Sequence, residues 1–511
     1  GPLGATFDGQ TPTLTVWAPT AQNVTLIRLG TDGEGPEERV AMTRGPQGAW
    51  SVEGEASWYG TYYRYEVTVY HPSTGGVETA QVTDPYSVSL SSDSRATQII
   101  SLDDPATKPE GWDNLVKPSL AAPEDVSIYE MHVRDHSIFD ETVPETDRGK
   151  FTAFTAQNSN GMQHLRALSE AGLTVAHILP AFDIATVDED VEERVELFDG
   201  FDRLCALNSR VPEEMCTTFG TQSIEQALES TDPASGEAQE IMGYLRGLDG
   251  FNWGYDPFHY NVPEGSYSTD PQGPARILEF RQMVQALAEA DLRIALDVVY
   301  NHTNAAGLSE KSVLDKVVPG YYHRLNATSG AIENSTCCQN TATEFNMMER
   351  LMIDSLIVWA VDYKVDAFRF DLMGHHMVRN MTLARDTLAA LTPENDGVDG
   401  SQIYIYGEGW NFGEVQDDAR GRNATQANMI GQGIGTFNDR MRDAARGGGP
   451  FDSETQLRTN QGYINGMYNI PNAENRDSAA DLETLLLQKD QIRVGMAGNL
   501  TNFFLVDASG A

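Results

Sequence analysis

Positive charge is scarce in this chain. Its 511 residues carry 35 Lys+Arg against 75 Asp+Glu, a formal net charge of −40. Nucleic acid and anionic membrane surfaces are polyanions, so this balance speaks against both as partners and leaves a neutral ligand such as a sugar open. Long apolar runs are missing too. Nothing reaches the roughly 18 uninterrupted apolar residues of a membrane span, so no membrane insertion is expected. Cysteines are few, Cys205, Cys216, Cys337 and Cys338, and their spacing matches no zinc pattern. Two bridges are open to them, Cys205–Cys216 and the vicinal Cys337–Cys338, beside the alternative of free thiols. Oxidised pairs favour a secreted enzyme, with cytoplasm or plastid as the other location. No GxGxxG or GxxxxGKS/T follows any predicted strand, so no organic cofactor is expected. The first four residues, Gly-Pro-Leu-Gly, resemble the scar of a cleaved tag, so any targeting segment is expected to have preceded residue 1.

What is present divides the chain in two. Residues 5–105 read as an antiparallel β-sandwich, because Thr13–Trp17, Val24–Arg28 and Tyr62–Tyr70 have strand composition and are separated by Gly, Pro and Asp. Residues 106–124 are rich in proline and lack a period, as a surface linker would. From 125 to 511, short apolar strands alternate with amphipathic helices. The strands are Ile128–Val133, Val175–Pro180, Arg293–Tyr300, Val365–Leu372, Ile403–Glu408 and Gly433–Phe437; the helices include Met162–Ala171, Ala275–Glu289 and Glu344–Tyr363. About six βα units predict a (β/α)8 TIM barrel that is incomplete in this chain. Residues 186–250 read as a long irregular insertion after the second strand.

The chemistry falls at the C-terminal ends of these strands, the active-site face of such a barrel. Asp297-Val-Val-Tyr-Asn301-His302 ends the third, Phe368-Arg369-Phe370-Asp371 the fourth and Tyr406-Gly407-Glu408-Gly409-Trp410 the fifth. Period two puts Arg369 and Asp371 on one face and the two phenylalanines on the other. Asp371 and Glu408, ending adjacent strands, converge as the two carboxylates of a retaining glycosidase do, about 5 Å apart. In that reading Arg369 keeps Asp371 ionised as nucleophile. Glu408 is the drier group, its pKa raised for proton donation. Trp410, Trp253 and Tyr255 offer aromatic faces to sugar rings. Each element alone has a plainer reading: Arg-x-Asp as an ion pair, Asp-x-x-x-Asn-His as turn chemistry, a lone Trp as core. Their convergence favours the site.

The motifs DVVYNH, FRFDLMG and YGEGW resemble the first three signature regions of the α-amylase superfamily, glycoside hydrolase family 13. NWGYDPFHYNVPEGSYSTDP is similar to the segment that marks its pullulanase and limit dextrinase branch. Trp17-Ala-Pro-Thr-Ala21 resembles the family 48 carbohydrate-binding module ahead of debranching barrels. ARILEFRQMVQAL, SVLDKVVPGYYHRLN, GTFNDRMRDAARGGGPF and RVGMAGNL extend the likeness from about residue 13 to 511. The resemblance implies hydrolysis of α-1,6-glucosidic linkages in pullulan, limit dextrins or amylopectin. Asp371 is then the nucleophile and Glu408 the acid/base. Arg369, His302 and Tyr255 frame the reacting glucose, Trp410 stacks on the leaving-group side, and Asp297 and Trp253 also bind substrate. Asn301 is implied as a calcium ligand. Relatives carry a fourth region, a His-Asp pair, and no such dipeptide follows Glu408 here. The rest of the polypeptide is therefore expected beyond Ala511. The alternatives are a non-catalytic α-glucan-binding fragment and an isoamylase or branching enzyme of the same superfamily.

Overall fold

A computed structural model describes residues 1–449, 451–470, 472, 478–498 and 506. They fall into two compact units, residues 1–425 and 426–511. The first unit opens with two antiparallel sheets. One orders Gly4–Asp8, Thr11–Trp17, Ala49–Glu53 and Thr43–Arg44. The other orders Glu38–Ala41, Asn23–Arg28, Tyr62–His71 and Gly76–Val82, with Thr97–Gln98 also on Tyr62–His71. Alternation decides which side chains go inside. In Thr11–Trp17, Leu14 and Val16 are buried between half-exposed threonines, and in Tyr62–His71 the alternating buried set is Tyr63, Tyr65, Val67, Val69 and His71, with Tyr62 buried as well. The Tyr63 and Tyr65 hydroxyls both donate to Asp84 Oδ2, at 2.7 and 2.8 Å, so the sandwich interior holds a satisfied polar centre. Trp17 is turned onto the barrel: its ring meets Tyr321 edge-on at 4.9 Å.

The linker is a strap fixed by cations. Arg281, 1% exposed, donates to Thr107 O at 3.0 Å, Leu102 O at 2.9 Å and Asp362 O at 3.0 Å. Its guanidinium also lies 5.6 Å from the Trp112 ring. Lys364 Nζ donates to Trp112 O at 2.8 Å, and Arg293 Nη1 to Pro118 O at 2.6 Å. Lysine and arginine reach irregular carbonyls that no sheet or helix can pair.

Within the first unit the barrel contributes five parallel strands in chain order: Ile128–Met131, Val175–Ile178, Arg293–Val298, Ala367–Phe370 and Tyr404–Gly407. Each is shorter than predicted, because the chain turns into site-bearing loops at the strand ends. Leu372 shows this most sharply, with φ at 41° just after Asp371. The crossovers are Asn160–Glu170, Ala275–Glu289, Asn346–Ile357, which continues as a π turn over Val358–Asp362, and Val378–Ala389. Ile294, Leu296, Phe368 and Phe370 are fully buried on the strands, and Phe280, Trp359 and Tyr363 pack ring to ring at 4.6–5.2 Å on the helix side. The molecule is thus a β-sandwich followed by an incomplete (β/α)8 barrel.

Two expectations are corrected. Residues 186–250 are not irregular. They hold helices Phe201–Leu207, Glu213–Phe219, Ile224–Ser230 and Glu237–Leu245 around a core of Phe201, Leu204, Ile224, Ile241 and Leu245. Helices of two turns show too little periodicity to be read, and their stability comes from packing. The Cys205–Cys216 bridge joins the first two of them. Directly after the loop that carries Trp253 and Tyr255, Pro257–Pro263 forms a strand antiparallel to Phe182–Ile184. In the second unit the sixth expected strand, Gly433–Phe437, shrinks to Gly435–Thr436. The helix Asp439–Arg446 that follows is capped by Asn438, whose side chain accepts from Met441 N. The terminal stretch 502–511 lies outside the described residues except for Val506.

Candidate active site

Register builds the site. Asp297 lies opposite Arg369, and Arg369 opposite Tyr406, on three adjacent strands. Arg369 is the centre. Its Nη1 donates to Asp297 Oδ1 at 2.8 Å, to Asp297 Oδ2 at 3.0 Å and to Asp371 Oδ1 at 3.2 Å. Its Nη2 lies 3.0 Å from Glu408 Oε1. One guanidinium therefore gathers three carboxylates, Asp371 and Glu408 from adjacent strand ends among them. A backbone group completes the fixation: Leu372 N–H, presented by the left-handed turn, donates to Glu408 Oε2 at 3.0 Å. A non-glycine residue held in that conformation costs energy, and such residues collect at functional sites. The glycine of FRFDLMG is explained by the same junction, since a Cβ on Gly374 would collide with the Trp410 carbonyl.

The electrostatics reverse part of the expectation. Glu408 is not the drier carboxylate: its side chain is 21% exposed, against 11% for Asp371. Nor does Arg369 suffice to hold Asp371 ionised. Burial pushes the Asp371 carboxyl up to about 8, with Arg369 opposing and the charges of Asp297 and Glu408 adding to the rise. A single cation serving three acids leaves the cluster short of positive charge, and the cluster answers by retaining a proton.

The other named residues surround this centre. Tyr255 is half-buried, donates its hydroxyl to Asp297 Oδ2 at 2.8 Å and lies under the Arg369 guanidinium at 5.8 Å. Asp297 is 0% exposed, so it acts on Tyr255 and Arg369 and not on a ligand directly. His302 is buried; its Nε2 faces Tyr255 O at 2.7 Å and its Nδ1 the Asn301 amide at 3.0 Å. Burial lowers its pKa, so the imidazole is neutral with its proton assigned to Nε2. Trp410 is half-buried beside Glu408, and Trp253 is 63% exposed. Cys337 and Cys338 are bonded to each other at the rim, with Cys337 Sγ 3.6 Å from His302 Nε2.

Asn301, the implied calcium ligand, is 1% exposed, its amide faces His302, and its Oδ1 has no hydrogen-bond partner among the described residues. Sequence reasoning missed His177, whose Nε2 lies 3.4 Å from Asp297 Oδ2 beneath the cluster. Its signal was a histidine inside the apolar strand Val-Ala-His-Ile, where an inward polar side chain needs a partner.

An incomplete (β/α)8 barrel with paired carboxylates on its catalytic face, preceded by a sandwich, is the architecture of a glycoside hydrolase with an attached module. Comparison with known proteins narrows this. Residues 2–87 match the family model of carbohydrate-binding module 48 (isoamylase N-terminal domain), and residues 184–251 that of the pullulanase Ins domain. Pullulanase 1, chloroplastic, of Arabidopsis thaliana is 47% identical over 515 residues, covering 100% of this chain and 50% of that protein. The pullulanase of Klebsiella aerogenes is 45% identical over 520 residues, covering 99% of this chain and 46% of that protein. The crystal structure of Klebsiella pneumoniae pullulanase complexed with maltotriose superposes with a TM-score of 0.93 at 44% identity, over 100% of this chain and 48% of that one. By sequence and fold the chain is similar along its whole length to pullulanases. It spans about half the length of the curated relatives it matches.

Proposed function

We propose that this chain supplies the nucleophile and the acid/base of a starch-debranching glycoside hydrolase that cleaves α-1,6-glucosidic linkages in pullulan, limit dextrins or amylopectin with retention of configuration. The observation that carries the reading is the sharing of Arg369 by Asp371 and Glu408 at the ends of adjacent strands. Retention needs one carboxylate ionised and the other protonated. Burial keeps a proton in the cluster at Asp371, and its transfer to Glu408 gives the reactive form. Glu408 then protonates the glycosidic oxygen while Asp371 attacks the anomeric carbon, forming a glycosyl ester and freeing the leaving chain. Glu408 next takes a proton from water, which opens the ester and restores Asp371. Arg369 positions both acids, and Tyr255, Trp410 and Trp253 offer aromatic surface to the glucan on either side of the bond. Asp297 acts by holding Arg369 and Tyr255.

The sandwich is proposed as an α-glucan-binding module rigidly joined to the barrel, supported by its match to carbohydrate-binding module 48. Secretion is proposed from the two bonded cysteine pairs, with a plastid as the alternative. No helix among the described residues is long and apolar enough to cross a membrane. The test is release of maltotriose from pullulan by the complete polypeptide, with Asp371→Asn and Glu408→Gln as controls. Retention on amylopectin without any release of reducing ends would instead make the chain a glucan-binding one.

A further inference from the structure

Away from the carboxylate cluster, a cavity of about 280 Å³ lies between the loop after the first barrel strand and the start of the insertion. Its walls include Arg134, Arg148, Lys150, Arg194 and Arg203, a concentration of cations in a chain of net charge −40. Four acids also line it, and two of the cations use them. Arg134 pairs with Glu196 and with Asp135 at 3.1 Å, and Arg203 lies 3.7 Å from Asp199 and 3.8 Å from Glu192. Glu145 is the fourth lining acid. The other three cations have no carboxylate within ion-pair distance among the described residues. Arg148 donates to the carbonyls of Val143 at 3.1 Å and Glu141 at 3.3 Å. Lys150 Nζ donates to the carbonyls of Ser268 at 2.7 Å and Ser266 at 3.3 Å. Arg194 is 8% exposed, and its guanidinium has neither a hydrogen-bond nor an ion-pair partner among the described residues.

A guanidinium that faces a cavity with no ion-pair partner, beside two more cations that also have none, leaves positive charge there uncompensated. Burial pulls the Lys150 ammonium down to about 8, with Arg194 reinforcing it and Glu279, Glu196 and Glu264 opposing it. The arrangement is resolved by an anion in the cavity. Neutral glucan brings no charge, so the substrate of the proposed reaction does not account for these cations. We propose that the cavity is an anion site that takes a phosphoryl group, either as inorganic phosphate or as the phosphate of a small sugar monophosphate. Two guanidinium forks and an ammonium suit a tetrahedral dianion with several acceptor oxygens better than a carboxylate with two. The volume lies just under the range of drug-sized pockets, which limits the ligand to a small molecule. None of Asp371, Glu408 and Arg369 lines the cavity, so this site stands or falls independently of the proposed hydrolysis.

Thermal unfolding of the full chain tests it, in chloride buffer at fixed ionic strength and with millimolar inorganic phosphate or glucose 6-phosphate replacing part of the chloride. The expected result is a saturable rise in Tm with at least one of the two, since a ligand that binds only the folded state stabilises it. A response to both assigns the phosphoryl group alone, and a stronger response to glucose 6-phosphate assigns the sugar ester. Arg194→Met weakens binding about tenfold or more and, by removing an unpaired buried charge, leaves the phosphate-free protein at least as stable as the parent. Arg148→Gln, at a half-buried position, weakens binding in the same direction and carries the test if the first variant does not fold. No shift beyond that of chloride, or an unchanged phosphate response in these variants, overturns the proposal. So does a loss of stability of Arg194→Met in phosphate-free buffer, which would make Arg194 a structural group.

Discussion

Asp371→Asn should abolish turnover and yet make the folded protein more stable at neutral pH. Folding carries the Asp371 carboxyl from 3.8 to about 8 through burial and through the neighbouring Asp297 and Glu408 charges. Between those two values the folded state holds a proton that the unfolded chain gives up, so stability falls as pH rises through the window. At pH 7 the ionisation forgone by folding is worth about 4 kcal/mol as an upper bound. Relaxation and water entry reduce such costs, so about 1–3 kcal/mol is the expected gain for a neutral isostere. Arg369 keeps Asp297 and Glu408 as partners after the change, so no buried cation is stranded. Urea midpoints for parent and variant between pH 4 and 8 read the effect. The advantage of asparagine should be largest at the alkaline end and shrink to a few tenths of a kcal/mol near pH 4, where the unfolded carboxyl is close to its own midpoint of 3.8. A variant that is less stable than the parent at pH 7, by an amount that does not change with pH, would refute the charge imbalance assigned to this cluster.

Further tests address the same site and its surroundings. Glu408→Gln keeps shape and hydrogen bonding but cannot protonate the leaving oxygen, so pullulan turnover by the complete polypeptide should drop by roughly 10²–10⁴ with glucan binding retained; more than about a tenth of parental turnover would remove Glu408 from this role. The kcat/KM profile should lose activity on the alkaline side near pH 8, where the proton retained at Asp371 leaves the carboxylate cluster; a flat profile through that region contradicts the assignment. Trp410→Ala should raise KM for branched substrates with little change in melting temperature, whereas a loss of about 3–5 kcal/mol in stability would mark it as core. In the second unit, Asn438→Ala should cost about 1 kcal/mol through lost capping. Asp439→Ala should cost less, because among the described residues the Asp439 side chain accepts from Gln426 alone, at 2.9 Å; thermal melts of the pair decide.

Much of this architecture could be read in advance, and the gaps have physical causes. Strand ends such as Phe-Arg-Phe-Asp announce themselves because period two separates Arg369 and Asp371 from the phenylalanines, and Phe368 and Phe370 are fully buried on the other face. The helices of the insertion did not, since none exceeds nine residues and their order comes from packing against one another. Charge was the harder quantity. Sequence places Arg369 next to Asp371 but is silent on how many other acids claim the same guanidinium. That number depends on Asp297 from one neighbouring strand and Glu408 from the other. His177 escaped for a similar reason, as its partner Asp297 belongs to the next strand.

The strap over residues 101–118 bears on how a polymer would be engaged. A flexible tether lets two binding elements sample many separations, so a second contact on one chain gains from a high effective concentration across a range of spacings. Here Arg281, Lys364 and Arg293 grip the connecting backbone at Leu102, Thr107, Trp112 and Pro118. Sandwich and barrel consequently present their surfaces at one fixed distance and angle. Avidity would then be selective in geometry: a branched glucan gains from simultaneous contact only where its outer chains have the length and direction to span that interval, and shorter or differently curved chains bind as if the sandwich were absent.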